Sequence, residues 1–531
     1  MPDAARPTPG RRLVARGRTA LDSSRWWVGL LVAAIVWGLV LRLAAPSFQS
    51  YWTDELFSVR QTAGSFQNLW QSARTEVHPP LFAILLWGWT RIGGTAPEWT
   101  RLLSIGFSLL ALVVPVLTLR RHLNWRVLLA LSAATASCAM AIVYAQDVRS
   151  YALLHLAAAG LTASLLAWWL DPGRPHVHLW QLLGWTLLAS ATHLFGMVLA
   201  AAVFAVLVLL GRLPLLRAAA LVLVGTAPQW LWLAHGLAFV PAFASGTTWI
   251  WAPGLADVQQ LLSATYGLAG LEIFAGGFEW TIWLGAALVA MLVAVRCVAR
   301  PSAAVPPSSD EEPSPADGGD SPTTQPASPS GHRPDELVGA AATLALLVVV
   351  VVVGMLLVSQ VVHLWTLRNM IVVVPALTWA VVLWLCSAPT QRLAMLLACT
   401  QLVLLAGVTR EVAQPYKTDF HAAVHYLADL RHSEPGFTYI GNGSALWLTG
   451  SGLPEGAEGA RQVFGEDRVL TRGEFPQGIS TRRGTTVYIM YLSINTETKQ
   501  AGNTVINLAG GDRYCHHLPL TGLVAVRCDI P

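Results

Sequence analysis

Eleven apolar runs dominate the first 409 residues, at 26–45, 102–119, 127–145, 150–170, 179–192, 194–210, 218–238, 280–295, 337–359, 369–388 and 393–409. A hydrocarbon layer about 30 Å thick is crossed by roughly 20 helical residues, with about 17 a practical minimum. Most of the runs qualify, and 179–192 is the weakest. In lipid every backbone N–H and C=O must be paired within the segment, so runs of this length imply helices. Composition excludes the alternatives. Only 12% of residues are charged and mean hydropathy is +0.52, whereas a soluble domain carries about 25% charged residues. An ordinary soluble enzyme, a nucleic-acid binder and a disordered scaffold are ruled out, which leaves a mainly α, polytopic helical bundle of about eleven spans.

Basic residues orient the spans, because short loops rich in Arg stay cytoplasmic. Arg11, Arg12, Arg16, Arg18 and Arg25 precede the first run, and Arg120, Arg121 and Arg126 form the next basic loop. This places residues 1–25 inside, 46–101 outside and 120–126 inside, with a single crossing at 102–119. The run Leu81 to Ile92 is then too short to span and is expected as a helix lying on the outer surface. The same alternation places Gln146 to Ser150, His193, 239–279 and Gln360 to Arg368 outside. No signal-peptide cleavage pattern follows the first run. The chain therefore divides into a basic N-terminus (1–25), a membrane module with outer loops (26–300), a linker (301–334), further spans (335–409) and an outer domain (410–531).

The linker holds nine of the 31 prolines among Ser, Gly and acidic residues, a composition that cannot bury a core. Beyond 410, strand-like pieces at Phe437 to Ile440, Thr486 to Leu492 and Leu523 to Val526 alternate with Gly-rich turns, which predicts a small α/β domain. In an oxidising compartment Cys515 and Cys528 are candidates to pair. The six cysteines show no CxxC spacing, so neither a zinc site nor a thioredoxin-like motif is signalled.

Three outer loops carry the chemistry-bearing side chains. The first contains Tyr51-Trp52-Thr53-Asp54-Glu55 and later Glu76-Val77-His78-Pro79-Pro80. Carboxylates at a membrane surface are partly desolvated, which raises their pKa and suits a proton acceptor; Asp54 or Thr53 capping a helix from Glu55 is the plainer use. The second reads Tyr144-Ala145-Gln146-Asp147-Val148-Arg149-Ser150-Tyr151, where Asp147 and Arg149 are either a self-satisfied anchor pair or part of a site. The third holds His363, Trp365, Arg368 and Asn369 before Pro375; an Arg at a span end also serves simply to snorkel. In 239–279, Trp249, Trp251 and Tyr266 suit either sugar stacking or an interfacial belt. His155 and His235 read as packed residues.

Taken together, these loops resemble the polytopic GT-C glycosyltransferases, specifically the family 39 group of protein O-mannosyltransferases and aminoarabinose transferases. The matching residues are Asp54-Glu55, His78-Pro79-Pro80, Gln146 to Tyr151, His193, Arg368 to Pro375, and Lys417-Thr418-Asp419-Phe420 at the opening of the outer domain. The resemblance covers residues 26 to about 425. It implies a transferase of the bacterial inner membrane whose donor is a sugar on a polyprenyl phosphate. The acceptor is a hydroxyl of an envelope lipid, glycan or protein. Carried over, Asp54 is the general base, with Glu55 beside it and Asp147 assisting. His78, Arg149 and Arg368 hold the donor phosphate, and Gln146, Tyr151, His193 and His363 line the substrate site. The resemblance implies no required metal and no cofactor.

The rival class is a transporter or flippase for lipid-linked saccharides. Transporters place functional charges at the bilayer midplane and often carry internal repeats. Here the charges gather at outer span ends, and no repeat relates the two halves.

Overall fold

In a computed structural model of the chain, the residues described are 26–44, 49, 51–239, 250, 252–266, 334–387, 400–402, 405–409, 417, 419–434, 436–442, 469–470, 479, 481–490, 498–520 and 522–531. The basic N-terminus, the run 280–295, most of the linker, the start of the run 393–409, Trp249, Trp251 and Thr418 lie outside them. Four described helices are long and apolar enough to cross a membrane, or six if each of two bent pairs counts as one span.

Helix α1 (Trp26–Leu43) leads into α2 (Thr53–Ala63), α3 (Phe66–Ala73) and α4 (Leu81–Gly93). The 13-residue α4 packs on α2, α3 and α5 (Pro97–Leu119). It also closes α2, since Arg91 donates to the carbonyls of Thr62, Ala63 and Gly64 at 2.7–3.1 Å, where a cation complements a helix C-terminus.

The run 127–145, expected as one span, is two helices, α6 (Trp125–Ala136) and α7 (Ala139–Ala145), bent by 59°. A break at membrane depth frees carbonyls that lipid cannot satisfy. Arg42, buried inside α1, supplies the missing donors: Nη1 bonds Ala136 O at 2.6 Å and Nη2 bonds Thr135 O at 3.0 Å, while Nε reaches Ser108 Oγ at 2.9 Å. Gly38 makes the approach possible, because a Cβ there would collide with the Ala136 carbonyl.

Helix α8 (Tyr151–Leu170) is the hub of the bundle, buried along almost its whole length against α5, α7, α9 (Pro175–Thr192), α10 (Leu194–Leu209) and the later helices at Pro334–Val358 and Val374–Cys386. A second bend of 60° separates α11 (Leu215–Gly225) from α12 (Ala227–Phe239), where Pro228 has no N–H to continue the ladder. After α13 (Leu255–Tyr266) and α14 (Pro334–Val358), a 3₁₀ turn at Leu367–Val373 passes into α15 (Val374–Cys386) at Pro375.

The C-terminal part is a mixed five-stranded sheet between two helices. Strands β1 (Thr438–Asn442), β2 (Val469–Leu470), β3 (Gly484–Met490), β4 (Cys515–His517) and β5 (Val524–Ile530) lie in the order β2-β1-β3-β5-β4, with β1 parallel to β2 and β3 and the other pairs antiparallel. Helix α16 (Phe420–Ser433), capped by the Asp419 carboxylate on the Ala422 N–H at 3.0 Å, covers one face through Ala423, Leu427 and Leu430. Helix α17 (Thr498–Ala509) covers the other through Ala501, Val505 and Ile506.

Cys515 and Cys528 are joined across β4 and β5. Closing a loop of this length restricts the unfolded chain by about 3 kcal/mol. Reduction is therefore expected to expose the sheet to proteolysis while leaving the helical bundle protected, as read by limited digestion with and without dithiothreitol; an identical digestion pattern would remove the bond from the stability of this part.

Candidate functional site

Two charge clusters meet at the end of the bundle that carries the sheet, one sealed and one open. At the opposite end of α1, Trp27 and Trp125 stack with Arg126 over both rings.

The sealed cluster is centred on Glu55, which is fully buried. Its carboxylate accepts from Arg101 Nε at 2.9 Å and Nη2 at 2.8 Å, and from Lys417 Nζ at 2.9 Å. The Val148 N–H donates to it at 3.0 Å and the Trp52 N–H at 3.3 Å. The capping interaction at the start of α2 thus belongs to Glu55, and Asp54 is left free of it. Burial opposes ionisation of Glu55, but Arg101 and Lys417 outweigh it and lower the carboxyl to about 2. Asp147 lies beside this hub, 3% exposed. It accepts from Trp52 Nε1 at 2.7 Å and sits 3.6 Å from Lys417 Nζ. Burial pushes its carboxyl up to about 6 against the pull of Lys417.

The open cluster is built on Asp54, in the first turn of α2. Its side chain is 24% exposed and takes one hydrogen bond from Arg368 Nη1 at 2.8 Å. The Arg368 guanidinium also lies over the rings of Trp52 and Tyr151, 5.7 and 6.0 Å from their centroids. Arg149 donates to Ser58 Oγ at 3.2 Å, and its Nε has no hydrogen-bond partner among the described residues. Next to it, His78 and His193 stack with centroids 3.8 Å apart. His193 Nδ1 accepts the Phe195 N–H at 3.2 Å, leaving His193 Nε2 and His78 Nδ1 buried and without a hydrogen-bond partner among the described residues. Burial, reinforced by Arg149 and Arg368, lowers His78 to about 3 and holds His193 far below its usual value. Both rings are therefore neutral at physiological pH and act as hydrogen-bonding groups. A cavity lined by Ser58, Glu76, His78, Phe82, Arg149 and Ser150 opens beside them; burial raises the Glu76 carboxyl above its ordinary value.

The structure brings Asp54, Arg368, Arg149, Tyr151, His78 and His193 to one place, and Glu55 and Asp147 to the sealed cluster beneath it. Gln146 has a different partner set: its amide donates to the Leu41 and Ala44 carbonyls at 2.6 and 3.1 Å and caps the end of α1. His363 is exposed on the loop before Arg368, and no hydrogen bond or ion pair joins it to the described site residues. Arg101 and Lys417 are the participants that sequence reasoning left without a site role. Arg101 reads as the charge that starts a span. Lys417 carries a usable signal, being one of only two lysines in the chain. Among the described residues no three His, Cys, Asp or Glu side chains are grouped to hold a metal ion.

No family model and no curated protein matches the sequence. In overall fold the chain is similar to ArnT from Cupriavidus metallidurans bound to undecaprenyl phosphate, at 11% identity and a TM-score of 0.49 over 95% of this chain and 98% of that one. It is similar to the apo form of the same protein at 12% identity, with a TM-score of 0.49 over 94% and 98%.

Proposed function

We propose that the chain is a membrane glycosyltransferase that moves a sugar from a polyprenyl-phosphate donor to a hydroxyl of an envelope lipid, glycan or protein, on the outer face of the bacterial inner membrane. The observation that carries this reading is the contrast between the carboxylates. Glu55 is buried and takes five hydrogen bonds, and Asp147 is buried between Trp52 and Lys417, whereas Asp54 is partly open and, among the described residues, held by a single contact to Arg368. A base must be reachable and able to change partners.

The donor phosphate binds Arg368 and Arg149, guanidiniums suited to a phosphate's paired oxygens, with the neutral His78 and His193 donating or accepting beside them. Taking Arg368 for the phosphate releases the Asp54 carboxylate. The acceptor hydroxyl oxygen then attacks the anomeric carbon and its proton passes to Asp54. The bond from carbon to phosphate oxygen breaks with its electron pair, leaving polyprenyl phosphate, which needs no acid to depart. Displacement from the opposite face inverts the anomeric carbon.

The test is incubation of purified protein with undecaprenyl-phosphate hexose or pentose and a membrane lipid extract, following release of undecaprenyl phosphate and a glycosylated product. Release supports the reading; movement of intact donor across proteoliposomes without bond cleavage contradicts it and favours a flippase. The pH profile is a further expectation. Asp147 carries its charge above about 6, so the rate falls as pH drops through that value; a flat profile from pH 5 to 8 would remove ionised Asp147 from the active form.

A further inference from the structure

Helix α2 contributes to two separate hydrophobic cores. Val59 belongs to the core of the helical bundle, while Leu56 belongs to the core between α16 and the sheet, with Phe420, Leu427, Tyr439 and Val487. Tyr51, just before α2, packs against both cores. The charged counterpart of this double attachment is Lys417, at the entrance to α16. Its N–H donates to Gln49 Oε1 at 3.0 Å, and its Nζ donates to Glu55 Oε2 at 2.9 Å and to Gln146 O at 2.8 Å. The Lys417 side chain thus ties α2 to the Gln146-Asp147 loop, and its backbone N–H holds the segment before α2.

Asp54 directly precedes Glu55, so any shift of α2 relative to the bundle moves Asp54 relative to Arg368, which comes from a different element. We propose that Lys417 is a positioning residue: together with Leu56 it couples docking of the C-terminal domain to placement of Asp54, so the domain completes the catalytic site as well as whatever it binds. This rests on the transferase reading above. A displacement of about 1 Å at a reacting group costs on the order of 10²-fold in rate.

A merely structural lysine and a positioning lysine differ in what they move. Asp147 is faced by Lys417, by Glu55 from α2 and by Arg149 from its own loop, with Arg101 of α5 acting through Glu55. In full-length Lys417→Met, the protein is expected to lose about 10²-fold in kcat with donor KM within about twofold, and the acid limb of the profile is expected to move to higher pH as Asp147 loses its nearest cation. Leu56→Ala loosens the same attachment without touching charge, and is expected to lower kcat with no displacement of the acid limb. Hydrogen exchange across residues 53–63 should quicken in both. Where Lys417→Met fails to fold, Leu56→Ala decides: lowered kcat at unchanged KM supports the coupling, and wild-type kcat overturns it. Folded variants with wild-type kcat, pH profile and exchange would also overturn it. Absence of donor cleavage in the wild type would refute the transferase reading instead, with the exchange of residues 53–63 still reporting whether the domain restrains α2.

Discussion

On the proposed reading of Asp54 as general base, Asp54→Asn is expected to lower the transfer rate by about 10²–10⁴-fold, the range a positioned general base supplies, and to leave the folded protein in place. The asymmetry follows from how little holds Asp54. It makes one ion pair with Arg368, and both side chains retain water contact, at 24% and 18% exposure. The pair is part-buried, and Asn still accepts a hydrogen bond from Arg368, so the change strands no buried charge without a partner. The expected result is therefore an inactive protein with wild-type expression, elution from a sizing column and thermal transition in detergent. Activity within a few-fold of wild type would take the base away from Asp54. Loss of folded protein would show that its contact to Arg368 matters more to architecture than its geometry indicates.

The opposite outcome is expected one residue further along the site. Arg101→Met removes two of the five donors to Glu55 and leaves a fully buried carboxylate with Lys417 as its remaining cation. Breaking a buried pair by deleting one partner costs about 3–5 kcal/mol, because an uncompensated charge stays behind. Arg101→Met is expected to lower the thermal transition strongly or to prevent recovery of folded protein. Adding Glu55→Gln removes the stranded charge, so the double variant should lose less than the two single losses added together. Strict additivity would mean that the two side chains do not act as a unit. The hub also has a pH signature. Since folding holds the Glu55 carboxyl down at about 2, below its ordinary value near 4.3, its contribution is complete above the ordinary value and is lost as pH falls toward 2.

The membrane part was legible because lipid leaves a chain few options: runs near 20 residues became helices close to their expected bounds, as at Tyr151–Leu170 and Pro334–Val358. The bends were not. Nothing around Ser137 and Cys138 punctuates the apolar run, and the break depends on Arg42, 94 residues before Ala136, to satisfy the freed carbonyls. Proximity within the site was partly legible. Common sidedness placed Asp54, Asp147, Arg149 and Arg368 together, although Asp54 and Arg368 are 314 residues apart. What sidedness could not do was divide the carboxylates by environment. Asp54 and Glu55 are adjacent, yet helical geometry turns one to the opening and the other into the hub. Gln146 shows the same limit: its donation to the carbonyls ending α1, more than 100 residues earlier in the chain, is a contact that local sequence does not display.

The anomeric configuration of the product tests the central claim most directly, because it reports the displacement itself. Purified protein is given undecaprenyl-phosphate sugar of one defined anomer, and the transferred sugar is examined by proton NMR before it can equilibrate. Direct attack by an acceptor hydroxyl activated by Asp54 predicts a product of wholly inverted configuration, formed together with one equivalent of undecaprenyl phosphate. A retained configuration, or donor that stays intact while the protein is folded, would contradict it.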